Sequence, residues 1–241
     1  MGYPGWVDPD ADLAAIASLM ADRHRAQMLL ALLGGTPQSG SALAEAAGVS
    51  RSLASAHLKK LVAGGLVRAE PSGRQRLYSI ASEPVADALE ILTLLAPATP
   101  VRSLRDSVRA RSLRWARMCY DHLAGAVGVA VAGALVGGDL IREHDGGYVL
   151  APRGAAGFGE FGIDVGELRY RSRPLLRPCM DWSEHRHHLA GSLGAAIAAE
   201  MVRRDWLHTR EATRIVTVTE SGEAGLRDWL GVDVSQLRTA A

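Results

Sequence analysis

Apolar residues recur at intervals of three and four through the first part of the chain, which is the spacing of one buried face of an α-helix. The pattern predicts four short helices within residues 10–63, and glycines end the second helix at Gly34 and the third at Gly48. The small Ala44 lets the third and fourth helices approach each other, Gly48 can adopt the left-handed turn between them, and Val49 fills the angle. This spacing is typical of a helix-turn-helix.

The fourth helix is followed by a predicted β-hairpin. Two short runs of strand-forming residues, 66–68 and 77–80, are joined by the turn-forming residues 71–73. A hairpin in this position is the wing of a winged helix-turn-helix. Within the fourth helix we expect Leu53, Leu58 and Leu61 to be buried and the polar side chains to point outward.

Charge is distributed unevenly, although the whole chain carries 27 Lys and Arg against 26 Asp and Glu. Residues 50–80 contain six basic residues and Glu70 as the single acid, so positive charge is concentrated where the helix-turn-helix and wing are predicted. These features together predict binding to double-stranded DNA, with the fourth helix in the major groove and the wing on phosphates or in a minor groove. The residues expected at the DNA are Arg51, Ser52, Ser55, His57, Lys59, Lys60, Arg74 and Arg76.

Four segments of the chain resemble the ArsR/SmtB family of repressors. They are LMADRHR at 19–25, LAEAAGVS at 43–50, SAHLKKL at 55–61 and GRQRLY at 73–78, and the resemblance covers about residues 10–96. The resemblance implies a homodimer whose recognition helices enter successive major grooves, and an effector that lowers the affinity for DNA. Arg23 and His24 depart from the family pattern, because its members usually have Pro-Thr there.

The two effector sites familiar in that family are absent from this sequence. No cysteine lies within 41–45 and no histidine lies within 84–95, so the effector must be sensed elsewhere. The helix predicted after the wing carries Val85, Leu89, Leu92 and Ala96 on one face. This face fits either the seam of a dimer or packing against its own domain.

The second half of the chain contains a duplication. After a proline-containing linker at 96–100 and an arginine-rich helix predicted at 101–117, the motif His-Leu-Ala-Gly at 122–125 recurs 66 residues later at 188–191. Each copy is predicted as a glycine- and alanine-rich helix, a hairpin and a closing helix. Matched glycines such as Gly128 and Gly194 are expected to let the two helices approach each other.

These patterns predict a mostly α-helical fold with small β-hairpin wings, in which two winged-helix-like repeats follow an N-terminal winged helix-turn-helix. The expected domains are a DNA-binding domain at 1–96, a linker and arginine-rich helix at 97–117, and an effector or dimerisation module at 118–241. No signal peptide is recognised, and the longest uncharged run, 123–138, is shorter than the ~20 residues of a membrane helix. We expect a cytoplasmic protein with no membrane partner.

The only two cysteines of the sequence, Cys119 and Cys179, each precede one copy of the repeated motif. Together with the motif histidines they would form a tetrahedral site for a soft or transition metal ion. The proposed ligands are Cys119, His122, Cys179 and His188, with Asp181 and His185 in reserve. The duplication is expected to place the two motif-bearing helices against each other and to bring the sulfur atoms within about 7 Å. A metal ion or a thiol-reactive species is therefore the favoured effector.

Other interpretations remain open. The cysteines are structural, or they oxidise each other to a disulfide. The module binds a small organic molecule in a pocket lined by its tryptophans, which are Trp115, Trp182, Trp206 and Trp229. A Cys/His-dependent enzyme is disfavoured, because no oxyanion-hole, nucleophile-elbow or phosphate-loop motif accompanies these residues. The sequence therefore predicts a DNA-binding regulator, and not an enzyme, whose effector it does not identify.

Overall fold

The computed structural model of this protein describes residues 11–97, 103–170, 172–210 and 213–240. The segment up to residue 97 is built from five helices and three strands. They are α1 (Leu13–Met20), α2 (Arg23–Leu32), β1 (Gln38–Ser39), α3 (Gly40–Ala47), α4 (Arg51–Ala63), β2 (Val67–Ser72), β3 (Gln75–Ile80) and α5 (Glu83–Leu95). This order is the winged helix-turn-helix that the sequence predicts.

Local capping groups begin and end the helix-turn-helix. The hydroxyl of Ser39 accepts from the backbone at the start of α3, and that of Ser50 does the same for α4. Gly48 ends α3 in the left-handed conformation, with φ of 65°. Both helices pack with α2 around one apolar core. The predicted turn between α3 and α4 is confirmed.

The buried face of α4 differs from the predicted one. Leu53 is 44% exposed, whereas Ala54, Leu58 and Leu61 are buried. Because α4 begins at Arg51, positions 54, 58 and 61 fall on the face toward the core, and position 53 lies beside that face. The expectation that Leu53 is a core residue was wrong.

The wing is longer than the sequence pattern indicates. Its last cross-strand pair is Ser72 with Gln75, so the turn consists of Gly73 and Arg74 and not of residues 71–73. β1 adds a third strand by pairing with β3. A strand of two residues is too short to leave a recognisable pattern in the sequence.

Helix α5 divides its predicted apolar face between two environments. Leu89 is buried, and Val85 packs against the same N-terminal core. Leu92 and Ala96 are exposed. Packing against its own domain is therefore confirmed for Val85 and Leu89, and the seam of a dimer stays a prediction for the exposed end of the helix.

The second half contains helices and two-stranded hairpins. Its elements are α6 (Leu104–Trp115), β4 (Arg117–Cys119), β5 (His122–Ala124), α7 (Gly125–Gly137), β6 (Ile141–His144), β7 (Gly147–Leu150), α8 (Gly154–Glu160), α9 (Val165–Leu168), β8 (Arg177–Met180), β9 (His187–Ala190), α10 (Gly191–Arg203), β10 (Leu207–Thr209), β11 (Val216–Val218), α11 (Glu220–Leu230) and α12 (Val234–Ala240). Each copy shows the predicted helix followed by a hairpin, but two helices close it where one was predicted. The predicted linker at 98–100, the start of the arginine-rich helix at 101–102 and part of the second hairpin turn at 211–212 lie outside the described residues.

A second hairpin precedes each long helix, and the sequence analysis missed it. The histidine, leucine and alanine of the repeated motif lie on β5 and β9, so the expectation that they are helical was wrong. Each strand pairs with the strand that carries a cysteine, and the helix begins only at the glycine of the motif. Gly125 and Gly191 have φ of 80° and 87°, a conformation that side-chain-bearing residues rarely adopt.

The two copies share one hydrophobic core, and each long helix packs on the other copy's hairpin. A Cβ added at Gly128 would lie 3.7 Å from the Cβ of His188, and one added at Gly194 would lie 3.4 Å from the Cβ of His122. Those are ordinary contacts, whereas the atoms that leave no room for a Cβ are the carbonyls of Leu123 and Leu189 in the strand before each helix. The matched glycines therefore allow each helix to start close against its own hairpin, and not the two helices to approach each other as expected. Among the described residues no helix is long and apolar enough to cross a bilayer.

Replacing Gly194 with alanine is expected to destabilise the protein by about 1–3 kcal/mol, because the new Cβ would lie 2.4 Å from the carbonyl oxygen of Leu189. The matched control is Gly133→Ala in α7, where an added Cβ meets no atom within 4 Å. That change should stabilise the helix by up to about 1 kcal/mol. Urea denaturation followed by circular dichroism measures both, and equal midpoints for the two variants would contradict this close packing.

Candidate functional site

The helix-turn-helix presents a polar and basic surface on α4 and on the wing. The exposed side chains among those predicted at the DNA are Arg51, Ser52, Ser55, Lys59, Lys60, Arg74 and Arg76. The five on α4 follow from the start of the helix, which turns positions 54, 58 and 61 inward. The two arginines of the wing lie at and beside its turn. This arrangement offers exposed hydrogen-bond donors on α4 and on the wing.

His57 does not belong to that surface, which corrects the prediction for this residue. It is 8% exposed, and its Nδ1 atom lies 3.8 Å from a carboxylate oxygen of Asp22, the residue that caps α2. Its ring also lies 5.9 Å from that of His24. Position 57 shares the inward face of α4, so His57 joins α4 to the start of α2.

A second candidate site lies where the hairpins of the two copies meet. Cys119, His122, Cys179 and His188, called here the thiol–imidazole cluster, have donor atoms that all lie within 4.8 Å of one another. In each hairpin the cysteine stands directly across from the histidine. The two sulfur atoms are 3.9 Å apart, within the predicted 7 Å. The sequence therefore predicted the proximity of these residues but placed them on the wrong kind of element.

Carboxylates orient both rings of the cluster. The Nδ1 atom of His122 lies 3.3 Å from an oxygen of Asp121, and that of His188 lies 3.2 Å from an oxygen of Asp181. The Nε2 atoms of both rings are buried and have no hydrogen-bond partner among the described residues. Each ring thus has its Nδ1 atom beside a carboxylate and its Nε2 atom without a partner, although the Nδ1 atom of His188 forms no hydrogen bond at its distance of 3.2 Å from Asp181.

Asp181 supports the cluster from outside and is not free to be a ligand. Its fully buried carboxylate pairs with the guanidinium of Arg117 at 3.0 Å, and it accepts from the backbone nitrogen of Gly125 at 2.7 Å and from Ser183. Burial would raise the pKa of Asp181, but the contacts with His188, Arg117 and Ser183 outweigh it and hold the pKa well below its usual range. The carboxylate is therefore charged at neutral pH.

His185, the other reserve ligand, is exposed in the loop between β8 and β9. Residues 181–186 form a loop, and His185 has a φ of 52°. Its side chain lies outside the thiol–imidazole cluster.

The cysteine and histidine of the first hairpin influence each other's protonation. The hydrogen bond with the Cys179 thiol and burial together raise the pKa of Cys119 to about 12. Burial would lower the pKa of His122, but the neighbouring Cys119 and Asp121 outweigh it and hold the pKa above its usual range. Asp121 is the one of these two partners that is charged at neutral pH. The Cys119 thiol stays protonated there unless a cation displaces its proton.

Ion pairs join the two hairpins to α5. Arg177 on β8 binds Asp87 with N–O distances of 2.8 and 2.9 Å, and it pairs with Glu83 at 3.2 Å. Arg173 pairs with Glu83 at 3.4 Å and donates to Asp121. The sequence analysis missed these residues. The repeated spacing Arg-x-Cys at 117–119 and 177–179 was the available signal.

The tryptophans of the second half do not line one common pocket. Trp229 stacks on Phe161 with ring centroids 3.6 Å apart, and Trp206 packs beside the same pair. Trp182 lies against the guanidinium of Arg117, and Trp115 lies near Arg238. A cavity of about 490 Å³ is lined instead by the 34–36 turn, the β4–β5 turn and the alanine-rich face of α10. The predicted tryptophan pocket was wrong.

Comparisons with known proteins place the chain among DNA-binding regulators. A helix-turn-helix domain family, HTH_20, matches residues 20–70. The uncharacterised HTH-type transcriptional regulator YdfF of Bacillus subtilis is 36% identical over 223 residues, which are 92% of this chain and 99% of that protein. The HTH-type transcriptional regulator CmtR of Mycobacterium tuberculosis is 40% identical over 80 residues, which are 33% of this chain and 67% of that protein.

Solved structures match about a third of the chain. The NMR structure of the cadmium metal sensor CmtR from Mycobacterium tuberculosis is 37% identical, covers 38% of this chain and 94% of that one, and has a TM-score of 0.31. The crystal structure of NolR from Sinorhizobium fredii is 32% identical, covers 36% of this chain and 85% of that one, and has a TM-score of 0.33.

Proposed function

This chain belongs to the ArsR/SmtB family of HTH-type transcriptional regulators, and we propose that it is a dimeric repressor whose binding to its operator is controlled at the thiol–imidazole cluster. It is a DNA-binding protein and not an enzyme. A metal ion or a thiol-reactive species acts as the effector. The observation that carries the regulatory part is the set of ion pairs that joins the cluster's hairpins to α5.

DNA is read by α4, with the wing on the backbone. Arg51, Ser52, Ser55 and Lys59 reach the edges of bases in the major groove, and Lys60 lies nearer the phosphates. Arg74 and Arg76 contact phosphates or the minor groove beside the site. Support comes from the exposure of all of these side chains and from the single acid within residues 50–80.

The double variant Arg74→Ala, Arg76→Ala is expected to weaken operator binding and its dependence on salt. Each lost phosphate contact should reduce the slope of log affinity against log salt concentration by about 0.9. Fluorescence anisotropy with a labelled operator, repeated at several salt concentrations, measures both quantities. Arg142→Ala, which removes an exposed arginine from the β6–β7 hairpin, is the matched control. An unchanged affinity and slope in the double variant would exclude the wing from the interface.

Dimerisation uses the exposed end of α5. Ile91, Leu92 and Leu95 are 59%, 45% and 74% exposed on this helix. Three exposed apolar side chains at one end of a helix are typical of a surface that another chain covers. Two-fold symmetry then places the two α4 helices about one turn of DNA apart, ~34–36 Å.

The double variant Leu92→Glu, Leu95→Glu is expected to be monomeric at micromolar concentration, because a dimer seam would bury four carboxylates without partners. Analytical ultracentrifugation measures the mass of the free protein and of its operator complex. Val149→Glu, at an exposed apolar residue of β7, is the control and should remain dimeric. A wild-type protein that is monomeric both free and on DNA would refute the dimer.

Control from the cluster passes through the acids of α5. Glu83 pairs with both Arg173 and Arg177. Arg173 is bound to the turn of the β4–β5 hairpin and Arg177 lies on the β8–β9 hairpin, so Glu83 is connected to both. Arg173 holds the carboxylate beside one histidine of the cluster, and Arg177 is on the same strand as one of its cysteines. A change in the geometry of the cluster therefore acts on the helix that carries the dimer surface.

The double variant Glu83→Gln, Asp87→Asn is expected to uncouple operator binding from the cluster. In the wild type, loading with Zn²⁺ or oxidation with diamide should change operator affinity about 5- to 150-fold, the range of a coupling of ~1–3 kcal/mol. In the variant the ratio should approach one, while Glu143→Gln on β6 keeps the wild-type ratio. Fluorescence anisotropy with a labelled operator measures the affinity of each protein with and without each treatment. If neither treatment alters the wild type, control from this cluster is refuted.

A small organic effector is the second candidate. The cavity of about 490 Å³ between the 34–36 turn and α10 supports it, because this space lies between the DNA-binding part and the second half. This candidate is favoured if neither Zn²⁺ nor diamide affects operator binding.

A further inference from the structure

We infer that the thiol–imidazole cluster binds one zinc ion, or its softer congener cadmium, through both cysteine thiolates and the Nε2 atoms of both histidines. The inference deepens the proposed function, since it selects a divalent metal from the two kinds of effector left open there. It also assigns Asp121 and Asp181 as positioning residues that fix the two imidazole rings.

The spacing of the sulfur atoms fits such an ion. Zinc–sulfur bonds of ~2.3 Å at the tetrahedral angle place two thiolates about 3.8 Å apart, and the sulfurs of Cys119 and Cys179 are 3.9 Å apart. All four donor atoms lie within 4.8 Å, so the remaining adjustment is on the order of 1 Å. They come from the two facing hairpins, which supply one thiol and one imidazole each.

The imidazole rings are oriented as metal ligands usually are. A histidine that binds zinc commonly donates its other ring N–H to a carboxylate, which fixes the tautomer and leaves one nitrogen free for the metal. Nδ1 of His122 lies beside Asp121 and Nδ1 of His188 lies beside Asp181, at 3.3 and 3.2 Å. The Nε2 atoms are buried without a partner, an arrangement that is unfavourable unless something binds them.

Two chains of side chains support these rings. Arg117 holds Asp181 within the second copy's loop, and Arg173 holds Asp121 in the turn of the first hairpin. Each chain therefore runs from guanidinium to carboxylate to imidazole and ends at the cluster. The two arginines neutralise the carboxylates, so the site as a whole carries no excess negative charge beyond the two thiolates. A divalent cation balances those thiolates in a site that excludes water.

The donor set selects the class of ion. Two thiolates and two imidazoles in tetrahedral geometry are typical of zinc, and cadmium prefers the same sulfur donors. A disulfide between the cysteines would leave both Nε2 atoms without a partner, whereas one metal ion satisfies all four donors. Hard cations such as Mg²⁺ prefer oxygen ligands, which the cluster does not offer.

The test uses the full-length reduced protein and Co²⁺ as a spectroscopic substitute for Zn²⁺. One equivalent of Co²⁺ should give the intense visible bands of a tetrahedral complex and a near-ultraviolet band from thiolate-to-cobalt charge transfer, and Zn²⁺ should displace it. Cys119→Ser and Cys179→Ser should each weaken the charge-transfer band. Asp121→Asn should lower the affinity about 10- to 100-fold with the tetrahedral spectrum retained. His185→Ala is the matched control. It removes an exposed histidine from the loop between β8 and β9, and this variant should bind like the wild type.

Three results would overturn the inference. They are no binding of Co²⁺ or Zn²⁺ at one equivalent, a weak octahedral spectrum, and unchanged spectra in both serine variants when circular dichroism shows them folded. The metal site and the proposed control of operator binding can fail independently of each other. Operator binding that responds to diamide, in a protein that binds neither Co²⁺ nor Zn²⁺ at one equivalent, would sustain cluster control and refute this site. Tetrahedral metal binding, with an operator affinity that changes neither with metal nor with diamide, would establish the site and refute the control.

Discussion

A fully buried carboxylate needs a donor for each lone pair that water would otherwise satisfy, and Asp181 obtains its donors from separate segments of the chain. It pairs with Arg117 on β4, accepts from Gly125 at the start of α7, binds Ser183 in its own loop and faces His188 on β9. Displacing any of these segments would leave an uncompensated buried charge. This contact therefore fixes how α7 and the two hairpins fit together, and the thiol–imidazole cluster depends on that fit.

The duplication matters chemically because neither copy holds a complete set of donors. One hairpin offers one thiol and one imidazole, and a four-coordinate site needs two of each. The copies meet with each helix on the other copy's hairpin, where Gly128 and Gly194 lie against the side chains of His188 and His122. They are not fully equivalent, since Asp181 accepts from Gly125, the first amide of α7, whereas the carbonyls of Pro174 and Leu175 accept from Ser192 and Leu193, the second and third amides of α10. A carboxylate therefore meets the positive end of α7, and backbone carbonyls meet that of α10.

The N-terminal fold could be predicted because the signals that begin and end its helices are local, as with the cap Ser50 and the left-handed Gly48. Which face of α4 is buried was harder to predict, because it depends on the residue at which the helix begins. Leu53 and His57 were misplaced for that reason. The meeting of the cysteines followed from the repeat, although one stands three residues and the other nine before its histidine. Only the hairpin register makes the two equivalent, because the loop of the second copy is longer. The supporting Arg–Asp pairs join distant segments, and residue type alone does not reveal them.

The route from the cluster to the DNA-binding surface runs through packed structure. Donors within 4.8 Å must reach the ~3.3–3.8 Å spacing of a tetrahedral zinc site, so in the proposed control the hairpins move by about 1 Å. A close-packed interior does not absorb such a shift locally. The hairpins are held at α5 through Glu83 and Asp87, and the backbone nitrogen of Tyr120 donates to the carbonyl of Leu33 after α2 at 2.7 Å. Because α2 packs against α3 and α4 while α5 carries the proposed dimer surface, one displacement would act on the tilt of each recognition helix and on the distance between the pair. Both quantities must match the operator at once, which makes a small movement sufficient to change its occupancy.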